Sequence, residues 1–256
     1  MLSFIDSHAH LFLPEFKEDS ETVMQRMMDA GVEKVFLPNI DSSTIDDLLN
    51  FEKRFPEHAF AMMGLHPCSV KENTDGELNI VKQQLSQRKF AAVGEIGLDF
   101  YWDTTFKEQQ IAAFSTQIDW ALLYGLPVVI HSRNSTRECI DIVRSKQTGS
   151  LKGVFHCFSG TADEAHEIID LGFYLGIGGV ITFKKSTLPE IVKDINLSYM
   201  LLETDAPYLA PVPYRGKRNE SSYIPLIAEK IADTKNREVA EVARVTTENA
   251  AGLFNF

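Results

Sequence analysis

Short runs of β-branched and apolar residues alternate along this chain with longer stretches whose apolar positions recur every three or four residues. The short runs cover 2–6, 33–38, 59–64, 91–97, 127–131, 152–156, 173–177 and 199–204. Their length and composition predict eight strands. The clearest intervening helix starts near Thr105, with Ile111, Phe114, Ile118, Ala121 and Leu122 on one face. Asp41-Ser-Ser and Thr161-Ala-Asp-Glu bring oxygens suited to the free amides of a helix start. Beyond the last strand–helix unit, 238–243 and 248–254 predict extra helix packed on the outside, with little functional content.

Strict alternation of strand and helix implies parallel strands, because each helix must return the chain to the starting edge of the sheet. Eight such units in 256 residues suit a closed TIM-type (β/α)₈ barrel, read as one domain over 1–256. An open doubly wound sheet is the competing architecture. Its nucleotide-binding form wants G-x-G-x-x-G after the first strand, where this chain has Ser7-His-Ala-His.

Apolar residues make up 44% of the chain and charged residues 24%, which excludes a disordered chain, a collagen-like repeat and a coiled-coil rod. The formal net charge of −11 excludes a basic, DNA-coating protein. Any nucleic-acid substrate must be drawn by a local positive centre. Cys68, Cys139 and Cys157 are widely spaced and odd in number, which predicts reduced thiols. The segment from Met1 to His8 has no basic stretch and does not read as a signal peptide. No apolar run approaches the roughly 18 residues of a membrane span. The expected location is the cytoplasm, with no membrane and no obligate protein partner.

The polar residues that interrupt this pattern fall at one kind of place. Asp6, His8 and His10 lie at the end of the first strand, and His66 follows the third. Glu95 lies near the end of the fourth, His131 ends the fifth, His156 ends the sixth and Asp205 follows the eighth. Parallel strands put those ends on one barrel face, where barrel enzymes carry their chemistry. Neutral imidazole and carboxylate suit divalent cations such as Zn²⁺, Mn²⁺ or Ni²⁺. Residues two apart in an extended segment point the same way, so His8 and His10 can serve one cation. Glu95 can bridge two cations through its two oxygens, with His131 and His156 on the second. Asp205 completes the first and can take a proton from water. Two carboxylates against two divalent cations leave the pit positive, so an acidic protein can receive a phosphodiester. Taken singly, a strand-end histidine is more often structural, and His58 and His166 are read that way. Five of seven histidines on one face require another explanation.

These residues resemble the TatD family of metal-dependent hydrolases, within the amidohydrolase-like barrels. The resemblance rests on Phe4-Ile-Asp-Ser-His-Ala-His-Leu11, Gly64-Leu-His-Pro67, Gly94-Glu-Ile-Gly-Leu-Asp-Phe100, Ile130-His-Ser-Arg133, His156-Cys-Phe-Ser-Gly160, Leu202-Glu-Thr-Asp-Ala-Pro-Tyr-Leu209 and Pro213-Tyr-Arg-Gly-Lys217. It implies a TIM-type barrel and two divalent metal ions (Zn, Mg, Mn or Ni) held by His8, His10, Glu95, His131, His156 and Asp205. It also implies phosphodiester hydrolysis, a deoxyribonuclease with exonuclease character on single-stranded DNA, with RNA open. Some members are linked to removal of D-amino acids from tRNA. The alternative is therefore a D-aminoacyl-tRNA deacylase or a small amide or ester hydrolase on the same metal pair.

Around that set, Asp205 and Glu95 are the expected catalytic residues, and His66, Arg133, Arg215 and Glu203 the expected substrate-side residues. His66 reads as a phosphate contact rather than a seventh ligand, and Ser132 with Arg133 as another. Glu203 can instead orient a ligand or water, or pair at the barrel mouth, and Asp6 has the same ambiguity. Arg215, Lys217 and Arg218, in the proline-rich loop 206–220, are candidates for a substrate clamp or a solvated loop. Phe100, Tyr101 and Trp102 offer faces for an unpaired base or for packing on the next helix. A non-catalytic metal-binding protein is disfavoured by the intact ligand set.

Overall fold

A computed structural model describes residues 2–256; Met1, within the expected domain and leader reading, lies outside the described residues. Eight parallel strands form: β1 Phe4–Asp6, β2 Val32–Pro38, β3 Ala59–Met62, β4 Val93–Asp99, β5 Val128–Arg133, β6 Gly153–Phe155, β7 Tyr174–Ile177 and β8 Met200–Leu202. Each overlaps an expected run. They pair in chain order as β1-β2-β3 and β4 through β8. Backbone bonds then close the ring. Gly94 N–H donates to Met63 O at 3.1 Å between β3 and β4, and Ser7 N–H to Leu202 O at 2.9 Å between β8 and β1. The result is the expected TIM barrel.

A helix follows each strand: α1 Ser20–Asp29, α2 Ile45–Arg54, α3 Thr74–Gln87, α4 Lys107–Tyr124, α5 Thr136–Lys146, α6 Ala162–Asp170, α7 Leu188–Asp194 and α8 Ile224–Lys235. Thr161 caps α6 in a reciprocal box with Glu164, which satisfies two amides the helix cannot pair itself. Asp41 forms the same box, on a 3₁₀ turn that leads into α2. The α4 face turns inward as its periodicity demands, with Phe114, Ile118 and Ala121 buried. No helix among the described residues is long and apolar enough to cross a membrane.

The tail differs from expectation. It is one helix, α9 Val239–Phe254, and its last turn closes the barrel's base rather than lying outside. Ala250, Leu253 and Phe254 pack with Ile5, Phe36, Met62, Val129, Val154 and Leu201, contributed by six strands. Phe36 and Phe254 stack with ring centroids 3.9 Å apart. The physical reason is geometric: inward side chains at a barrel's open end need a lid, and α9 supplies it. Phe36→Ala is expected to lower unfolding free energy by about 3–5 kcal/mol, the range for emptying a buried aromatic site. Urea denaturation checks this; a loss below about 1 kcal/mol would mean the base is not packed on that ring.

Candidate metal centre

The opposite end of the barrel is polar and open. A cavity of about 660 Å³ lies there, lined in part by His10, His66, Glu95, Asp99, Trp102, His131, Arg133, His156, Asp205 and Tyr208. Its size is in the range of small-ligand sites. All six residues expected to hold cations reach this end, and their side-chain atoms converge.

Glu95 is the centre. Its Oε2 lies 3.1 Å from His8 Nε2 and 3.4 Å from His10 Nε2, and these two nitrogens are 3.3 Å apart. Asp205 Oδ1 is 3.7 and 3.8 Å from the same nitrogens. Glu95 Oε1 faces the other way, 2.9 Å from both His131 Nδ1 and His156 Nε2. Two ligand atoms each bound about 2.0–2.2 Å from one tetrahedral ion stand roughly 3.4 Å apart. On the Oε2 side the spacings of 3.1 to 3.8 Å bracket that edge. On the Oε1 side they run from 2.9 Å up to the 3.4 Å between His131 Nδ1 and His156 Nε2, so the donor set fits a divalent cation on each side with slight opening around Oε1. Among the described residues, three groups of donor atoms stand close enough to hold a cation: His8 with His10 and Glu95, His8 with His156 and Asp205, and His66 with Glu95 and His131.

Burial sharpens the chemistry. His8 is fully buried, and burial, with His156 nearby, holds its imidazole well below the usual histidine range. It is a neutral donor. Burial works against charge on Glu95, yet the imidazoles of His156, His66 and His8 hold its carboxyl well below the usual carboxylate range. Burial pushes Asp205 up to about 6. Its backbone is left-handed, with φ of 56°, a conformation that aspartate tolerates better than most residues.

His66 also belongs to this cluster, with Nε2 3.3 Å from Glu95 Oε1. Its other nitrogen settles its role in hydrogen bonding. Cys68 N–H donates to His66 Nδ1 at 3.1 Å, and burial lowers the His66 pKa. A neutral ring with an accepting Nδ1 carries its proton on Nε2. His66 therefore points an N–H into the cavity, whereas His8 and His10 turn Nε2 toward Glu95 and their buried Nδ1 atoms have no partner among the described residues.

Asp99 is the residue that sequence reasoning passed over. Its Oδ2 lies 2.9 Å from His131 Nε2, which turns Nδ1 of that ring toward Glu95. His131 pairing and the backbone amides of Trp102 and Tyr101 hold the Asp99 carboxyl low against the push of burial. The backbone of Asp99 is itself held, its N–H donating to Gln110 Oε1 at 2.9 Å, while Gln117 Oε1 accepts from Leu65 N–H at 2.7 Å beside His66. Both glutamines are buried polar residues on α4, a signal that their place in a mostly apolar helical face could have offered. Gly97 allows β4 and β5 to approach: its φ is +140°, and a Cβ there would strike His131 O.

Four other candidates, Glu203, Arg215, Arg218 and Asp6, lie off the cavity floor. Glu203 is fully buried, behind His156, with Oε1 3.6 Å from His156 Nδ1, the placement of its ligand-orienting alternative rather than of a substrate contact. Its Oε2 is packed where a side chain at position 176 would otherwise sit. Arg215 lies over the Phe183 ring at 4.5 Å and does not line the cavity. Arg218 grips Asp19 through two bonds of 2.9 and 2.6 Å, so it anchors loop 206–220 instead of clamping a phosphate. Asp6 accepts from Thr204 Oγ1 and Ser221 Oγ, each at 2.6 Å. It ties β1 to the segment carrying Asp205, and burial pushes it up to about 7. Asp6, Asp99 and Glu203 bring the carboxylates around the pit to five, which cancels the positive balance read from the six ligands with two divalent cations. Arg133 at the mouth matters correspondingly more for an anion.

Comparison with known proteins agrees with this picture. The family described as "TatD related DNase" matches residues 5–255. The chain is 38% identical over 250 residues to the uncharacterized metal-dependent hydrolase YabD of Bacillus subtilis, covering 97% of this chain and 98% of that one. It is 32% identical over 260 residues to the uncharacterized metal-dependent hydrolase TatD of Mycobacterium tuberculosis, covering 96% of each. The crystal structure of YjjV, a TatD homolog from Escherichia coli, superposes with a TM-score of 0.93 at 30% identity over 99% of this chain and 98% of that one.

Proposed function

Because this chain belongs to the TatD-related DNase family of metal-dependent hydrolases, we propose that it hydrolyses phosphodiester bonds at the ends of single-stranded DNA. The observation that carries the reading is the arrangement of Glu95, whose two oxygens serve two separate imidazole sets on one cavity floor. His8, His10, Asp205 and Glu95 Oε2 would hold one divalent cation; His131, His156 and Glu95 Oε1 would hold the other. When bound, such cations polarise a phosphoryl oxygen and lower the pKa of water from 15.7 toward about 7.

The chain's own groups do the remainder. Asp205, beside the first set, accepts a proton from the attacking water. His66 donates its Nε2–H to a non-bridging phosphate oxygen. Arg133 meets the phosphate at the mouth. Asp99 keeps His131 in the orientation that offers Nδ1, the support a carboxylate commonly gives a ligating histidine. Asp99→Ala is accordingly expected to weaken divalent-cation binding roughly 10- to 100-fold. Calorimetric titration measures it, and an unchanged affinity would remove Asp99 from that role.

The test of the function is digestion of end-labelled single strands by the metal-reconstituted protein, beside a D-aminoacyl-tRNA. Stepwise shortening of the strands is expected. Cleavage of the aminoacyl ester with no loss of nucleotides would overturn the reading in favour of a deacylase.

A further inference from the structure

Single apolar side chains open to water are ordinary, but a cluster of them marks a binding surface, and four stand together at the cavity mouth. Trp102 is 68% exposed and Tyr101 52%, on the turn after β4. Across the mouth, the segment after β8 adds Tyr208 and Leu209, at 50% and 39%. Trp102, Tyr208 and Leu209 line the same cavity as the imidazoles. Arg133 lies between the floor and this rim. Its guanidinium sits 3.8 Å over the Tyr101 ring and 5.1 Å from the Trp102 ring. Lys71 is held by Asp103 and Arg218 by Asp19, but Arg133 has no carboxylate partner among the described residues.

The turn is built to hold still. Asp99 Oδ1 accepts from the backbone amides of Tyr101 at 3.0 Å and Trp102 at 3.1 Å. Phe100 N–H donates to Arg133 O at 2.9 Å. One carboxylate thus orients His131 and pins the turn that carries both rings, so the rim is registered to the floor. Tyr101 and Trp102 meet at an angle of 84° with centroids 4.9 Å apart, and Trp102, at 68% exposure, keeps a face of its indole open to solvent.

We propose that Arg133, Tyr101 and Trp102 form a nucleotide subsite. An unpaired base stacks on the free face of Trp102, while Arg133, kept in place by the Tyr101 ring, meets the phosphate of that nucleotide. A flat cation beside an aromatic plane is the combination that binds single strands without reading their sequence. A base already paired and stacked in a duplex has no free face to offer. The subsite deepens the phosphodiesterase reading and rests on it for the position of the reacting phosphate, but its test involves no turnover.

The probes are deoxyadenosine 5′-phosphate and deoxyribose 5-phosphate, which share sugar and phosphate and differ by the base alone. Binding to the metal-loaded protein is followed by calorimetry and by tryptophan emission. The chain has two tryptophans, so Trp120→Phe leaves Trp102 as the sole emitter. The nucleotide is expected to bind at least about 5-fold more tightly than the sugar phosphate, the lower end of stacking on an aromatic ring, and to change Trp102 emission. Trp102→Ala, at an exposed position, should bring the two affinities together. Equal affinities in the native protein, no binding of either probe, or a preference that survives Trp102→Ala would each overturn the subsite. If the base preference is found but single-stranded DNA is not cleaved, the subsite stands and the phosphodiesterase reading falls.

Discussion

Glu95→Ala is expected to remove both cations and to reduce hydrolysis by at least about 10³-fold. The side chain has no substitute in the pit. Among the described residues its Oε2 is the only carboxylate oxygen within 3.5 Å of both His8 and His10, and its Oε1 lies 2.9 Å from His131 and His156. Losing it leaves five imidazoles around an uncharged gap, and cations would have to be held by rings and Asp205 alone. Lewis-acid polarisation is worth several kcal/mol, and each 1.36 kcal/mol is a factor of ten in rate, which sets the scale of the loss. Metal content by elemental analysis, alongside turnover, reads the result. Glu95→Gln adds a finer arm, since an amide offers one oxygen. It should retain about half the bound cation. A variant of either kind that keeps both cations in full would show that Glu95 is not shared between two sites.

Asp205→Asn should fold normally and lose about 10²- to 10⁴-fold in kcat, the usual range when a positioned proton acceptor is removed. The fold should survive because the substitution keeps the shape and because asparagine, like aspartate, tolerates the left-handed backbone at this position, φ 56°. The chemistry should not, because an amide cannot take a proton from water near neutral pH. The near-ultraviolet circular dichroism of the variant checks the first statement, and turnover at saturating metal checks the second. Activity close to that of the native protein would take Asp205 out of the mechanism and leave it a ligand only.

The metal set could be found in the chain because it obeys a rule with a physical basis. Parallel strands share a direction, so residues toward their carboxyl ends share a face. His8, His156 and Asp205 stand just past such ends, while Glu95 and His131 lie inside β4 and β5, which run on beyond them to Asp99 and Arg133. The resemblance to TatD-type hydrolases pointed to the same six residues through their order. The role of Asp99 is out of reach of such a rule. It lies four positions after Glu95 on β4, and nothing local says that it meets a ring carried by β5. That contact depends on the register that pairs Gly97 with His131 and Asp99 with Arg133. Loop 206–220 was ambiguous for a related reason. A run of cations reads alike whether it faces phosphate or carboxylate, and only the fold places Asp19 against Arg218 and Phe183 against Arg215.

The chain by itself determined the alternation of strand and helix, the barrel that alternation requires, and the identity of the donors at one end of it. Those properties follow from local periodicity and from residue type, which are written position by position. Tertiary structure alone decided which oxygen of Glu95 faces which rings, which nitrogen of His66 keeps its proton, and which charges are spoken for by a neighbour. It also decided that the C-terminal helix closes the base of the barrel. Each of these depends on distances between residues far apart in sequence, and those distances exist only once the ring of strands has closed.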